Sequence, residues 1–455
     1  MLRRGPISAL DRKLIRDLVR IWPQALAIAL VLASGVATLI LAIGAYRSLD
    51  ETRAAYYERQ QFAHVFARVT RAPRSVAALV EAVPGVATAE TRIVKSALLD
   101  LAHLHEPATG IVISVPDHTG QRLNRLHLRQ GRMPEPGRAH EVVVNEAFAL
   151  ASGFTIGSRF HAILNGRKRE LSIVGTALSP EYIYAIGPGD LMPDNRRFAV
   201  MWMSETALQG LFDLDGAFNE ISIKLQPGAS EPDVIRRLDD MLLRYGGTGA
   251  HGRKEQLIHA FLDAELRQLQ ALARVIPPIF LLVSAFLINM TLTRLIALER
   301  EQIGLLKAIG YGQAAIALHY LKLVLAIAVT GTLIGIGLGT WFGGALTKLY
   351  GKFFQFPFLV FERDPDVYLI ATAVAVAAAT AGAIRATGQA LALAPAVAMS
   401  PPAPARFRRM WGEAQGLYRH LSQLTMMSLR SMARWPVRAA LAMLGLALST
   451  ALLVV

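Results

Sequence analysis

One short stretch, ALEREQIGLLKAIG at residues 297–310, organises the chain. It is charged and amphipathic, and it lies between two long apolar segments at residues 275–293 and 323–347. Its apolar positions recur at helical spacing with charges between them, and Gly310 is a typical helix terminator. The pattern predicts a short helix just outside a membrane, held at both ends by membrane spans. Such a helix is either an ordinary amphipathic connection or a device that passes force from a soluble partner to the spans.

The composition indicates a membrane protein. The 455 residues are 53% hydrophobic and 18% charged, which is too apolar for an ordinary soluble protein. The 48 Lys+Arg against 34 Asp+Glu give a formal net charge of +14. In a membrane protein this excess favours basic residues on the cytoplasmic side rather than nucleic-acid binding. The chain has no cysteine, which excludes disulfides and thiol chemistry.

Charge and hydropathy divide the chain into ten segments. Residues 1–24 form a basic cytoplasmic segment, and the uncharged run at 25–45 is long enough, at roughly 30 Å, to cross the hydrocarbon core. A signal peptide is the competing interpretation, but the apolar run is too long and its cleavage site is poor. The remaining segments are an extracytoplasmic domain at 46–274, spans at 275–293, 323–347 and 367–384, a coupling segment at 294–322, an outer loop at 348–366, a cytoplasmic linker at 385–438 and the start of a fifth span at 439–455.

The predicted fold is therefore an α-helical membrane protein with an inserted α+β extracytoplasmic domain. It has four transmembrane helices plus the start of a fifth. Within the domain, alternating patterns predict strands at 91–99, 110–115, 141–144, 160–164, 170–175, 198–203 and 220–225. Helices are expected at 47–61, 75–83, 147–152 and 231–244, and a stalk helix at 254–274 leads into the second span. The loop at 179–194, rich in aromatics, Gly and Pro, is either functional or a packed surface loop.

The run EREQIGLLKAIGYG at residues 299–312 resembles the coupling helix of FtsX-like and MacB-like ABC transporter permeases. The family commonly has an acidic residue directly before the Ile-Gly pair, where this chain has Gln302. Residues 131–134 and 141–157 also look like the periplasmic core domain of MacB-like permeases, where they define the fold. The resemblance implies a coupling site that contacts an ATPase subunit and consists of Glu299, Glu301, Ile303, Gly304, Leu306, Lys307, Ala308 and Gly310.

The resemblance also implies a function. The chain would be the non-catalytic permease subunit of an ABC transporter in the bacterial inner membrane, with residues 46–274 periplasmic. ATP would be bound by partner ABC ATPase subunits, and this chain would hold no cofactor. The motion would serve export or extraction of a lipid, lipoprotein, peptide or drug-like substrate. Other implied partners are a periplasmic adaptor or hydrolase, membrane lipid, and a second FtsX-like module in cis or a homodimer partner, with no nucleic acid.

An internal repeat is visible at the two ends of the chain. The run LRSMARWP at residues 429–436 echoes IRDLVRIWP at residues 15–23, and both lead into apolar runs. This favours the first half of a longer, two-module permease. A genuine fifth span that ends the protein is the alternative.

Motifs for enzymatic chemistry are missing from the sequence. There is no Walker loop, no His-Glu-x-x-His and no Gly-x-Ser-x-Gly. His103 and His105 lack an obvious third ligand, so surface or core histidines are favoured over a metal site. Two other functions remain open at this stage. One is an FtsX-type regulator that activates a periplasmic hydrolase by mechanotransmission, and the other is a membrane sensor without transport.

Overall fold

The structure, a computed structural model, describes residues 8–101, 104–190, 192–360 and 364–392, with isolated residues beyond them. Nearly all of the predicted linker, the later copy of the repeat and the start of the fifth span lie outside the described residues, as does His103. The described helices are α1 (Ala9–Arg20), α2 (Trp22–Arg59), α3 (Ser75–Glu81), α4 (Glu146–Ser152), α5 (Glu205–Phe212), α6 (Glu231–Leu242), α7 (Leu257–Leu298), α8 (Arg300–Ala308), α9 (Gln313–Phe353) and α10 (Pro365–Ala392). The strands are β1 (Val65–Pro73), β2 (Val86–Arg92), β3 (Val94–Asp100), β4 (Ala108–Val115), β5 (His127–Gly131), β6 (Glu141–Asn145), β7 (Arg159–Leu164), β8 (Arg167–Leu178), β9 (Phe198–Ser204), β10 (Ala217–Leu225) and β11 (Ala250–Gly252).

The chain forms two compact units, and the first contains residues 1–45, 269–345 and 362–455. Among the described residues, α2, α7, α9 and α10 are long and apolar enough to cross a membrane. Their buried faces meet in one apolar core. The fold is thus helical and membrane-spanning, with an α+β domain inserted after the first span, as the sequence predicts.

Helix α9 packs closely against α2 through small residues. A Cβ atom added to Gly335 would lie 2.8 Å from the Ala33 carbonyl oxygen, and one on Gly339 would lie 2.9 Å from that of Ala37. Only glycine allows backbones to approach so closely. Gly337 lies on the other side of α9, where an added Cβ would meet no described atom within 4 Å. Helix α9 therefore has a small-residue face towards α2, and this face includes only some of its glycines.

The second unit, residues 46–268 and 346–361, holds the inserted domain. A four-stranded sheet has the order β11-β1-β10-β2 and is covered by α3 and α6, whose Val80, Val234 and Leu238 are buried in its core. A larger sheet has the order β5-β8-β6-β9-β4-β3-β7, and β7 also pairs with β8. That last pairing closes six strands into a ring, with β5 attached outside it. The long strand β8 makes the closure possible, because its first half pairs with β7 and its second half with β6.

Several predicted elements differ from the structure for identifiable reasons. The helix expected at 47–61 is the continuation of α2, since no proline interrupts the chain there and a lone Gly44 is tolerated. The strand expected at 91–99 is divided at Ile93, where the chain leaves one sheet for the other. In the predicted outer loop, Phe354 and Phe356 are buried in the second unit, beside Tyr184 and Tyr56 respectively. Sequence patterns missed β1, β5, β11 and α5.

The parts of α2 and α7 that belong to this second unit pack on one another. The Tyr57 hydroxyl lies 3.1 Å from His259 Nδ1, and Arg53 pairs with Asp263 at 3.3 Å. Helix α7 then runs unbroken through Pro277 and Pro278 to Leu298. The continuous stalk predicted from the sequence is therefore present as one 42-residue helix.

Candidate functional site

The candidate site is α8, the short helix that follows α7 directly. Glu299 occupies the N-cap position with a φ of −97°, so the chain turns there before helical geometry resumes. At the other end the Tyr311 N–H donates to the Leu306 carbonyl and the Gly310 N–H to that of Lys307. These two bonds form a Schellman motif, which requires the positive φ of 103° that Gly310 adopts. The predicted glycine stop is thus a defined helix end.

The two faces of α8 have different environments. Ile303 is 1% exposed and Gly304 is buried, while Leu306 packs against the apolar core of the first unit. The opposite side exposes Leu305, at 55%, and the C-cap residue Ile309, at 67%, while Leu298 at the end of α7 is 66% exposed. Apolar side chains exposed together beside charged groups are typical of a protein interaction surface.

The eight residues of the predicted coupling site do not share one surface. Glu301, Ala308 and Gly310 are exposed, together with the neighbouring Gln302. Ile303 and Gly304 are buried, and Leu306 and Lys307 are partly buried. The Lys307 ammonium donates to the Leu391 carbonyl oxygen at 3.0 Å. Glu299 is 1% exposed, so its carboxylate points into the protein rather than to the exposed face.

Glu299 belongs to a buried polar network that joins three helices. Its Oε2 accepts hydrogen bonds from Lys13 Nζ at 2.7 Å and from the Tyr320 hydroxyl at 3.1 Å. The same Lys13 Nζ donates to Asp17 Oδ2 at 2.6 Å, and His319 Nε2 lies 3.1 Å from that oxygen. The network therefore attaches α1 and the start of α9 to the N-cap of α8.

Asp17 is held in its charged form inside this network. Burial by itself opposes ionisation of the carboxyl, but hydrogen bonds from His319 and Lys13 outweigh it and keep the pKa of Asp17 below its ordinary value. An ionised Asp17 can hold the Lys13 ammonium in position. The positive charge of Lys13 in turn offsets the cost of burying the Glu299 carboxylate.

Sequence reasoning missed part of this arrangement. The sequence showed Lys13 and Asp17 only as members of a basic segment, because no pattern within residues 1–24 indicates that they contact residue 299. Leu305 and Ile309 were recognised as apolar positions of the helix, but their exposure depends on which face the neighbouring helices cover. The sequence did carry a signal for the exposure of Leu305 and Ile309. The helix has only nine residues, and its apolar positions cover more of its circumference than packing against one neighbour requires.

The described residues contain no group of three or more His, Asp or Glu side chains suited to a metal ion. In the second unit, a cavity lined by Arg92, Glu181 and Trp202 measures about 10 Å³, which is room for one water molecule. Helix α8 itself presents exposed apolar side chains beside the exposed Glu301.

Two protein-family models match separate parts of the chain. The model of the FtsX-like permease C-terminal family matches residues 274–395, and the model of the MacB-like periplasmic core domain matches residues 25–241. No curated protein matches the chain.

Solved structures with similar regions include a periplasmic region and an extracellular domain. The periplasmic region of MacB from Actinobacillus actinomycetemcomitans is 11% identical, with 46% of this chain and 92% of that one covered and a TM-score of 0.28. The extracellular domain of the noncanonic ABC-type transporter YknZ from Gram-positive bacteria is also 11% identical, with 42% and 98% covered and a TM-score of 0.28. A domain of a putative permease protein from Porphyromonas gingivalis is 15% identical, with 45% and 96% covered and a TM-score of 0.26. The two family models together cover most of the chain, which belongs to the FtsX-like and MacB-like ABC transporter permeases.

Proposed function

We propose that this chain is a permease subunit that couples ATP hydrolysis by a separate ATPase chain to a change in shape of its inserted domain. The motion would serve export or extraction of a lipid, lipoprotein, peptide or drug-like substrate. The observation that carries the proposal is the exposed face of α8, with Leu305 and Ile309 beside Glu301. Membership of the permease family supports an ATPase as the partner for that face.

A mechanical route follows from the way α8 is held. Helix α7 ends at Leu298, directly before the Glu299 cap, so a push on α8 acts on the end of a 42-residue helix. The buried Ile303 and the Schellman end resist rotation of α8 on its own. Displacement of α8 would therefore move the long helices rather than unfold the short one.

Membrane orientation is part of the proposal. We place α8 and the N-terminus in the cytoplasm and the inserted domain in the periplasm, across the bacterial inner membrane. Basic residues gather at the α8 end of the spans, with Arg12, Arg16, Arg20, Arg294 and Lys307 all on that side. Their position follows the positive-inside rule.

The test is co-purification of the full chain with candidate ABC ATPase subunits. Leu305→Asp and Ile309→Asp place a charge in the centre of the face, and we expect each to weaken capture by at least about tenfold. Leu150→Asp is the matched control, because Leu150 is 74% exposed in the inserted domain. Membrane extraction checks that every variant still inserts. Equal capture of all variants, or no capture by the wild type where a known permease succeeds, would overturn the proposal.

A further inference from the structure

Helix α1 is anchored to the first unit by one face only. Leu14 and Leu18 pack against the apolar core, and Asp17 is buried with Lys13 beside it. The helix is capped by Ser8, whose Oγ accepts from the Asp11 N–H at 3.1 Å. Helix α1 is therefore a capped helix that packs against the first unit.

The remaining surface of α1 is apolar along one line. Ile15, Val19 and Trp22 are 56%, 66% and 62% exposed, and the line continues onto α2 with Leu26 at 43% and Leu30 at 48%. Leu26 and Leu30 belong to a helix that is long and apolar enough to cross a membrane, and within a bilayer their exposed side chains would face lipid. Continuity with that lipid face places Ile15, Val19 and Trp22 at the edge of the bilayer.

A basic stripe lies beside the apolar line. Arg12, Arg16 and Arg20 follow one another at intervals of four residues, which puts them on one side of a helix, and all three are exposed. No carboxylate among the described residues forms an ion pair with them, whereas Lys13 and Lys322 pair with Asp17 and Asp11. The positive charge of this stripe is thus directed outward, next to a surface that contacts lipid.

We propose that this face of α1 binds anionic phospholipid headgroups and that the bound state is relayed to α8 through Lys13. Each basic residue near an anionic leaflet strengthens binding by about fivefold, and apolar residues that enter the interface add to this. The occupant is a lipid and not a free phosphate, because the arginines border side chains that need a bilayer.

The relay depends on one side chain with two partners. Lys13 Nζ contacts Asp17 on its own helix and Glu299 at the cap of α8, so ordering α1 orders that cap. An effect on coupling rests on the function proposed above. Lipid binding to α1 and the resulting ordering of α8 do not rest on that function, since both can be observed without any ATPase.

Hydrogen–deuterium exchange of the full chain in nanodiscs tests the inference. Phosphatidylcholine discs are compared with discs that also contain phosphatidylglycerol. We expect amides of residues 9–20 to exchange several-fold more slowly in the anionic discs, with a smaller protection at residues 300–308. High salt should weaken both effects, since they are electrostatic. Soluble glycerol phosphate added to the neutral discs should give no protection.

Variants separate the two steps. R12Q/R16Q/R20Q should lose the lipid dependence, whereas R12K/R16K/R20K should keep it. R236Q/R237Q/R244Q, the same charge change on exposed arginines of the inserted domain, is the matched control. Lys13→Gln should keep protection of α1 and lose that of α8. Equal exchange in both kinds of disc, or full lipid dependence in R12Q/R16Q/R20Q, would overturn the lipid site and leave a protein partner as the occupant of this face.

Discussion

Arg92 is a buried charged side chain of the inserted domain with two carboxylate partners. It binds both carboxylate oxygens of Glu181 and also Glu220, whose other oxygen accepts from Arg68 Nε at 2.7 Å. Burial opposes ionisation of Glu220, yet Arg92 and Arg68 outweigh it and keep the pKa of Glu220 below its ordinary value. The network ties the four-stranded sheet to the loop after β8, and it explains why that loop is packed rather than free.

Removal of Arg92 should therefore be costly. Arg92→Met leaves the buried Glu181 carboxylate without its partner and Glu220 with Arg68 alone, and we expect a loss of about 3–5 kcal/mol in the free energy of unfolding. Arg236→Gln breaks an exposed pair with Asp233 and should cost about 0–1 kcal/mol. Thermal unfolding of the detergent-solubilised chain, followed by tryptophan fluorescence, compares them. Equal midpoints for the two variants would show that the Arg92 network is not structural.

Glu141 should make the domain sensitive to acid. Two hydrogen bonds from Arg132, both at 2.7 Å, outweigh burial and lower the pKa of Glu141 from 4.5 to about 2. A carboxyl with a lowered folded pKa stabilises the fold above its unfolded pKa, and this contribution is lost as the pH falls towards the folded value. The wild type should thus exceed Glu141→Gln in unfolding temperature at neutral pH, and the gap should close between about pH 4.5 and pH 2.

The measurement is a series of thermal melts of the two proteins across that pH range. Glu106→Gln serves as the control, because Glu106 forms an exposed pair with Arg197. A gap between wild type and Glu141→Gln that stays constant with pH would contradict the argument.

At the scale of elements, the sequence predicted those strands and helices whose residues carry a local apolar pattern. Strands β6, β7 and β9 alternate or carry continuous apolar runs, and their bounds agree with the prediction within one residue. Strand β5 could not be found, because four of its five residues are exposed and it is defined by pairing with β8. The residues of α8 were identifiable from their motif. Which of them face outward was not, since that depends on burial of Ile303 and Glu299 by distant helices.

The contact between α9 and α2 gives a prediction for helix packing. Gly335→Leu places a side chain where a Cβ already meets Val36 Cβ at 2.7 Å, so we expect a loss of about 1–3 kcal/mol or more from forced separation of the helices. Gly337→Leu adds the same side chain on the open face and should be nearly neutral. Thermal unfolding in detergent distinguishes them. Similar behaviour of the two variants would show that α9 does not pack on α2 through Gly335.

At the scale of the whole molecule, the proposed orientation can be tested directly, because the chain has no native cysteine. Leu305→Cys and Leu150→Cys each introduce a single thiol at an exposed position, one on α8 and one in the inserted domain. An impermeant maleimide should label position 150 from outside spheroplasts and position 305 only after lysis. Labelling of position 305 in intact spheroplasts would reverse the topology.

The whole molecule combines a family-defined membrane unit and inserted domain with an outward-facing apolar surface at α8. The ATPase contact at α8 remains a prediction, and site-specific photo-crosslinking is its most direct test. A benzophenone amino acid at Leu305, which is exposed, should crosslink an ABC ATPase subunit, whereas the same group at the exposed Leu150 of the inserted domain should not. Crosslinking at Leu305 that Ile309→Asp abolishes would support α8 as the coupling site. A wild-type complex that forms with no crosslink from Leu305, Ile309 or Leu298 would contradict it.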